Sequence, residues 1–161
     1  MIEITKKLHI GNLRDLRSFS LADDAFVHAT QTIHYQIFGW NRTTNKPSKD
    51  HPNYIIWEEN NRLSLNWVDG PAYLYKWSGV HTFIKILDFI DSWINNKKVL
   101  VHCNQGVSRS PTLGLLYFSK RQNLLPVDSF HSAKNEFLNI YPTYKPSGIS
   151  DFVIQHWNEI K

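Results

Sequence analysis

The segment VHCNQGVSRSP, residues 101–111, holds the side chains best suited to chemistry in this chain. It contains Cys103, the only cysteine among 161 residues, with His102 directly before it and Arg109 six positions after it. An ionised thiol is a strong nucleophile. The guanidinium of Arg109 offers a planar, permanently charged fork that can bind two phosphoryl oxygens at once. A nucleophile beside such a cation predicts phosphoryl transfer.

The flanking sequence predicts elements that would hold these groups in place. The apolar run 99–101 is typical of a buried strand, and residues 111–122 are typical of a helix with proline in its first turn. A strand, a tight loop and a helix N-terminus form an anion site, because backbone N–H groups converge there and the helix dipole adds positive potential. We expect such a site to favour the thiolate of Cys103 near neutral pH.

The pattern His-Cys-(any five)-Arg-Ser resembles the active-site loop of cysteine-dependent protein phosphatases. Gly106 and the run Ser108-Arg109-Ser110-Pro111 are most similar to the dual-specificity branch of that family. The resemblance implies that Cys103 attacks phosphorus and forms a cysteinyl-phosphate. It further implies that Arg109 and the backbone amides of the loop hold the phosphoryl oxygens.

The same resemblance assigns roles to the remaining loop residues. His102 would orient the loop and lower the pKa of the thiol. The hydroxyl of Ser110 would ease departure of the thiolate in the second step. The residues expected to bind phosphate are Asn104, Gln105, Gly106, Val107, Ser108 and Arg109.

The reaction also needs an acid that protonates the departing oxygen, because an alkoxide is a poor leaving group. Residues 62–68 alternate in the manner of a strand, and Asp69-Gly70-Pro71 follows as a turn. Trp67-Val68-Asp69 resembles the Trp-Pro-Asp of the large tyrosine-specific phosphatases, and it lies ahead of the nucleophile strand as that family requires. We therefore favour Asp69 as general acid. Asp88 and Asp91 are weaker rivals, since they fall on a predicted helix.

Each of these residues also has a purely structural explanation. A lone cysteine is often a small buried hydrophobic residue, His102 could be a core histidine, and Arg109 could be a surface charge. Asp-Gly-Pro is good turn chemistry in its own right. The catalytic interpretation is favoured because every chemical role finds a residue at a suitable spacing.

Composition is consistent with one globular domain spanning residues 1–161. Hydrophobic residues make up 42% of the chain and charged residues 20%, both ordinary values. No apolar run is long enough to cross a bilayer, and the short polar N-terminus with Glu3 does not resemble a secretory signal. One cysteine allows no internal disulfide, which fits a reducing compartment. We therefore expect a cytoplasmic protein with no membrane partner.

The net charge of +4 weakly favours anionic partners. The expected partner is a phosphorylated protein or peptide, and phosphate or other oxyanions would bind in the loop. No basic-aromatic repeat is present, so no nucleic-acid partner is expected. The thiolate and the arginine would supply what a metal supplies elsewhere, so we expect neither a metal nor another cofactor.

Alternating strand and helix signals predict an α/β single domain. The expected architecture is a central, mostly parallel sheet flanked by helices, as in cysteine phosphatases, with the nucleophile loop at the carboxyl end of its strand. The predicted strands are 7–10, closed by Gly11-Asn12, then 25–29, one ending at Val68, and 99–101; the predicted helices are a short one at 51–60, then 78–95, 110–122, 126–139 and 148–159.

Residues 31–60 depart from the compact family pattern. They carry many aromatic and histidine side chains around a polar loop at 41–50. We favour a surface excursion that packs its own aromatic side chains. The functional alternative is a pocket rim or a substrate-docking surface.

Other functions remain open at this point. Phosphoinositide phosphatases usually carry lysines inside the loop, whereas residues 104–108 are uncharged, and RNA 5′-triphosphatases tend to follow the arginine with Thr-Gly rather than Ser-Pro. A non-catalytic phospho-binding module would normally have lost the cysteine, the arginine or the acid. A rhodanese-like sulfurtransferase also uses a strand–cysteine–loop–helix anion site, but it needs no acid, so Asp69 distinguishes the two. Hydrolysis of protein phosphomonoesters, on phosphotyrosine and on phosphoserine or phosphothreonine, is the favoured function.

Overall fold

A mixed sheet of six strands lies at the centre of the computed structural model, which describes residues 1–4 and 7–161. The sheet order is β1-β2-β6-β3-β5-β4. The inner strands β2, β6, β3 and β5 are mutually parallel, and only the two edge strands pair antiparallel. The strands are β1 Ile2–Glu3, β2 Leu8–Gly11, β3 Ala25–His28, β4 Ile56–Glu59, β5 Arg62–Leu65 and β6 Val99–His102. The predicted α/β fold with a mostly parallel sheet is confirmed.

Helices cover both faces of this sheet. Those predicted at 78–95, 110–122, 126–139 and 148–159 are confirmed, with ends shifted by a few residues. The α-helices are α1 Gln31–Phe38, α2 Tyr73–Lys76, α3 Gly79–Ile94, α4 Arg109–Lys120, α5 Phe130–Ile140 and α6 Gly148–Gln155, and a 3₁₀ helix spans Leu13–Ser18. Within the described part of the chain, no helix has the length and apolar character needed to cross a membrane.

Strands β2, β3 and β6 and helix α4 form the buried centre of the fold. Every residue of β2, β3 and β6 is buried, as expected for parallel strands covered on both faces. In α4 all residues from Arg109 to Ser119 are buried, so this helix is enclosed by the fold rather than lying on its surface. The loop of residues 103–108 therefore joins a fully buried strand to an almost fully buried helix, which fixes its two ends.

The helix predicted at 51–60 is wrong, because residues 56–59 form strand β4 instead. β4 and β5 make an antiparallel hairpin in which Glu59 lies opposite Arg62, leaving Asn60 and Asn61 as a two-residue turn. Asn60 adopts the left-handed region with φ 52°. Asparagine tolerates that region, and a two-residue hairpin turn requires it. The pairing with β5 outweighs the weak local helical tendency.

Helix α1 is an element that the sequence analysis missed. It has an N-cap at Thr30, whose side chain accepts a hydrogen bond from the amide of Thr32, and it ends at Gly39 in the left-handed region with φ 69°. Behind it the aromatic rings pack on one another, with the centroids of Phe38 and Trp40 4.4 Å apart. The prediction that residues 31–60 pack their own aromatic side chains is confirmed.

Candidate active site

Cys103 lies directly after β6, at the carboxyl edge of the sheet, and α4 begins six residues later. The side chain of Cys103 is buried. The loop turns through Gly106, whose φ of 72° is a conformation that residues with a Cβ rarely adopt. A Cβ at Gly106 would also lie 3.1 Å from the backbone of Gly11, so both the turn and the packing require glycine here.

Hydrogen-bond donors converge on the sulfur of Cys103. The amide of Gly106 lies 3.3 Å from Sγ, and the amide of Ser110 lies 3.5 Å from it. The Ser110 hydroxyl oxygen is 3.2 Å from the same sulfur. Two backbone amides and a hydroxyl thus surround a buried sulfur just ahead of the N-terminal end of α4.

The Ser110 hydroxyl has two partners and one hydrogen. Its oxygen is 2.9 Å from the carbonyl oxygen of Gly11, to which it donates, as well as 3.2 Å from Cys103 Sγ. With a neutral thiol, the S–H can donate to Ser110 while Ser110 donates to Gly11. With a thiolate, the same hydroxyl can rotate its hydrogen toward the sulfur. Ser110 is therefore able to form a hydrogen bond with either protonation state of Cys103.

The guanidinium of Arg109 is buried and engaged on both sides. Nη1 donates to the carbonyl oxygens of Ala29 at 3.1 Å and Trp67 at 2.8 Å. On the other side, Nε and Nη2 donate to the two carboxylate oxygens of Asp69 at 3.0 and 3.2 Å. The predicted phosphate-binding cation and the predicted general acid are thus in direct contact.

Asp69 lies on a loop whose preceding residues are held by hydrogen bonds. Upstream, the Trp67 indole donates to the Ser78 hydroxyl at 2.8 Å, and the Tyr75 hydroxyl donates to the carbonyl of Val68 at 2.8 Å. The Asp69 side chain itself is 41% exposed, whereas that of Arg109 is only 3% exposed. The carboxylate can therefore move toward solvent, but the arginine cannot.

A line of buried hydrogen bonds lies behind the loop. Arg62 Nε donates to His28 Nε2 at 3.1 Å, so the hydrogen of neutral His28 is on Nδ1, which lies 2.6 Å from Nε2 of His102. This leaves the hydrogen of His102 on Nδ1, which faces the backbone of Cys103 without a hydrogen bond of good geometry. The contact exists because His28 and His102 are directly opposed in the parallel pair β3–β6.

Burial keeps both histidines neutral. It lowers the pKa of His102 to about 4, against an opposing effect of the Cys103 backbone, and it lowers the pKa of His28 well below its ordinary value. A neutral His102 supplies no full positive charge to the thiol. The role that remains for His102 is to orient the loop.

Residues 141–147 hold the loop from the opposite side. The Tyr141 hydroxyl donates to the carbonyl of Gly106 at 2.6 Å, and the amide of Lys145 donates to the carbonyl of Val107 at 2.8 Å. The amide of Ser147 donates to the hydroxyl of Ser108 at 2.9 Å. Sequence reasoning missed all three anchors, since two of them act through backbone atoms and Tyr141 lies in no recognisable motif.

The predicted site residues gather in one place. The Gly106 amide and the Ser110 amide and hydroxyl contact the sulfur of Cys103, and Arg109 at the start of α4 contacts Asp69. Asn104 and Gln105 are exposed at the outer edge of the loop. The rival acids lie elsewhere: Asp88 and Asp91 bind Arg121 instead. In the described residues, 1–4 and 7–161, no cluster of three or more His, Cys, Asp or Glu side chains is arranged to hold a metal.

Comparison with known proteins gives a consistent result. The family described as "Dual specificity phosphatase, catalytic domain" matches residues 27–144. Dual specificity protein phosphatase 5 from Homo sapiens is 34% identical over 97 residues, covering 53% of this chain and 24% of the relative. The protein of the same name from Rattus norvegicus is 34% identical over 96 residues, with the same coverage. The alignment thus spans about a quarter of the length of these curated relatives.

Solved structures share the fold. Human DUSP28 superposes with a TM-score of 0.64 at 16% identity, covering 99% of this chain and 96% of that one. The human tyrosine phosphatase-like serine/threonine/tyrosine-interacting protein gives a TM-score of 0.62 at 19% identity, covering 98% and 95%. At these identities the likeness concerns the fold alone. The family match covers most of the chain, and the chain therefore belongs to the dual-specificity phosphatase family of cysteine-dependent hydrolases.

Proposed function

We propose that this protein hydrolyses phosphomonoesters on proteins or peptides through a cysteinyl-phosphate intermediate. The observation that carries the proposal is the convergence of three groups: the sulfur of Cys103 within a ring of donors, the fork of Arg109, and the carboxylate of Asp69 in contact with that fork. A nucleophile, an oxyanion-binding cation and an acid are the groups that phosphoryl transfer through a covalent enzyme intermediate needs.

In the first step the thiolate of Cys103 attacks phosphorus. The S–P bond forms and the bond from phosphorus to the leaving oxygen breaks, while protonated Asp69 gives that oxygen its proton. Arg109 and the amides of residues 104–109 bind the three equatorial oxygens, whose charge is spread in the transition state. The leaving alcohol or phenol departs neutral.

In the second step a water molecule attacks the cysteinyl-phosphate. Ionised Asp69 takes a proton from the water, the new P–O bond forms, and the S–P bond breaks to release the thiolate. The Ser110 hydroxyl, 3.2 Å from the sulfur, donates a hydrogen bond to the departing thiolate. Inorganic phosphate leaves, and Asp69 is protonated again for the next cycle.

The contact between Asp69 and Arg109 also separates this function from sulfur transfer. A sulfurtransferase needs an anion site and a cysteine but no acid, so nothing in that chemistry calls for a carboxylate on the arginine. The uncharged residues 104–108 do not favour a multiply phosphorylated ring as substrate. A single phosphoryl group on a protein side chain is the substrate that fits best.

The test is hydrolysis of an aryl phosphate with chelator and fresh reductant, comparing the wild type with Cys103→Ser. We expect chelator-resistant phosphate release from the wild type and none from the variant, with inorganic phosphate binding retained by the variant. Circular dichroism establishes that both proteins are folded. An inactive but folded wild type, or an active Cys103→Ser, would overturn the proposal.

A further inference from the structure

Two cavities adjoin one another beside the loop that carries Asp69. The first has a volume of about 320 Å³ and the second of about 400 Å³. Four residues line both cavities, so the two form one continuous depression, which we call the basic groove: Gln31, Lys49, Tyr54 and Val68. One wall comes from residues 42–55, and the other comes from residues 66–78 around the loop that carries Asp69.

The groove lies next to the catalytic site. Val68, which lines both cavities, directly precedes Asp69. The carbonyl oxygen of Trp67, the residue before it, accepts hydrogen bonds from Arg109 Nη1 at 2.8 Å and from the amide of Gln31 at 2.8 Å. The same short backbone segment thus touches the phosphate-binding arginine on one side and the groove on the other. A substrate held at Cys103 can reach the groove with neighbouring residues.

Positive charge is concentrated along the groove. Arg42, Lys46 and Lys49 line it, and none of its lining residues is a carboxylate. Arg42 donates to the neutral amide oxygen of Gln31 at 2.8 Å, and Lys49 lies 5.0 Å from the ring centroid of Trp77. Neither of these two contacts neutralises a charge, so the groove presents a positive potential beside the catalytic site.

The part of the loop that carries Arg42, residues 39–45, has a defined conformation. The side-chain oxygen of Asn41 accepts hydrogen bonds from the amides of Thr43, Thr44 and Asn45 at 2.9, 2.7 and 3.0 Å. The Asn45 side chain in turn donates to the carbonyl of Gly39 at 2.8 Å. Such turns restrict the conformations of the chain. Peptide binding therefore does not lose free energy to ordering this segment.

We infer that the basic groove binds acidic side chains next to the phosphorylated residue of a peptide substrate. The inference rests on the proposed function and names its substrate class. Carboxylates complement the three cations, and the exposed rings of Tyr73 and Trp77, 60% and 58% accessible, offer apolar surface for the rest of an extended peptide. A small aryl phosphate does not extend into the groove.

The experiment compares three forms of the enzyme on matched phosphotyrosine peptides. One peptide set carries glutamates on either side of the phosphotyrosine, and the second carries glutamines at the same positions. The enzymes are the wild type, Lys46→Gln/Lys49→Gln, and the charge-matched control Lys85→Gln/Lys161→Gln, which changes two exposed lysines outside the groove. The kcat/KM of each enzyme on each peptide is divided by the kcat/KM of the same enzyme on an aryl phosphate.

We expect the wild type to prefer glutamate peptides by about three- to tenfold, since exposed ion pairs are individually weak. The groove variant should lose that preference and the control should keep it. The preference should also shrink as salt is raised, because exposed charges are screened. Equal kcat/KM for the two peptide sets, or a preference that survives in the groove variant, would overturn the inference.

A binding measurement separates this inference from the proposed chemistry. Fluorescence anisotropy with labelled peptides reports affinity for Cys103→Ser, alone and combined with Lys46→Gln/Lys49→Gln. If the wild type fails to hydrolyse the aryl phosphate, the proposed function fails. The anisotropy still tests whether the basic groove binds acidic peptides. Tighter binding of glutamate peptides that depends on the two lysines supports it. Equal binding, or no binding of either peptide, overturns it.

Discussion

Asp69 binds Arg109 at two points, with Oδ1 accepting from Nε at 3.0 Å and Oδ2 accepting from Nη2 at 3.2 Å. These two N–H groups form the edge of the guanidinium that suits two oxygens of a phosphoryl group. In the proposed mechanism, the carboxylate therefore occupies the edge of Arg109 that the phosphoryl group would bind. Because the Nη1 side is bound to the carbonyls of Ala29 and Trp67, the arginine has little room to turn away. The proposed mechanism therefore requires that substrate binding release Asp69, which would leave it available for proton transfer.

Removal of the Asp69 carboxylate should strengthen the binding of inorganic phosphate. Asp69→Ala frees the fork of Arg109 and removes a negative charge that repels the ligand. We expect the dissociation constant for phosphate, measured by isothermal titration calorimetry, to fall by at least about threefold.

Asp88→Ala is the matched control for that measurement. It also removes one carboxylate that binds an arginine, but its partner is Arg121, on the α3–α4 face away from the loop. Its phosphate affinity should equal that of the wild type. Equal affinity in Asp69→Ala and the wild type would mean that the carboxylate does not compete with phosphate.

The leaving group should determine how strongly Asp69→Asn impairs turnover. Asparagine keeps the shape of the side chain but cannot give a proton to the departing oxygen. We expect kcat to fall by about a hundredfold or more on a phosphoserine or phosphothreonine peptide, whose alkoxide must be protonated. The fall should be much smaller on an activated aryl phosphate. An equal loss on both substrates would assign the acid to another residue.

The buried histidine pair should make stability depend on pH. Burial lowers the pKa of His102 to about 4 and lowers that of His28 as well, whereas both would titrate near 6.5 in the unfolded chain. The unfolded state therefore binds more protons, and stability is fully present above pH 6.5 and decreases as the pH falls toward 4. The contribution of His102 alone is up to about 3 kcal/mol. Denaturant unfolding of the wild type at pH 7 and pH 5 should show this loss.

His28→Asn tests the source of that dependence. The asparagine amide can still donate to His102 Nε2 in place of His28 Nδ1, but it does not titrate. We expect the variant to lose less stability between pH 7 and pH 5 than the wild type does, even where its stability at pH 7 is lower. Parallel pH profiles for the two proteins would show that the dependence arises from other groups.

Local sequence signals predicted the strand, loop and helix around Cys103, because these elements are contiguous in the chain. The apolar strand, the loop and the helix after Cys103 follow one another within about twenty residues, and each signal acts on its own neighbourhood. That Arg109 and Asp69 lie near one another could be foreseen, since both follow parallel inner strands, β6 and β5, at the carboxyl edge of the sheet, with only β3 between them. The two-point pairing could not, because it depends on the side-chain geometry of distant segments.

Non-local pairing explains what sequence reasoning missed. Strand β4 forms because it pairs with β5 across the Asn60-Asn61 turn. The local residue pattern used to predict a helix at 51–60 carries no information about that pairing. The carbonyls of Ala29 and Trp67 that hold Arg109 are backbone atoms, and backbone atoms carry no residue signature. The alignment of His28 with His102 likewise follows from strand register rather than from spacing along the chain.

The hydroxyl of Tyr141 should matter for turnover as well as for stability. It donates to the carbonyl of Gly106 at 2.6 Å and so fixes the turn whose amide points at Cys103 Sγ. Tyr141→Phe removes this bond with little change in shape. We expect a loss of about 1 kcal/mol in the free energy of unfolding. We also expect kcat/KM on an aryl phosphate to fall by about tenfold, since a small displacement of a reacting group is costly.

Tyr144→Phe provides the comparison that separates the two effects. Tyr144 is also buried, and its hydroxyl lies 2.6 Å from that of Thr112 in α4 rather than on the loop. This variant should lose a similar free energy of unfolding while kcat/KM stays within about twofold of the wild type. If both variants lose activity in proportion to their stability, Tyr141 supports the fold only. If Tyr141→Phe alone loses activity, the bond to Gly106 positions the loop for attack.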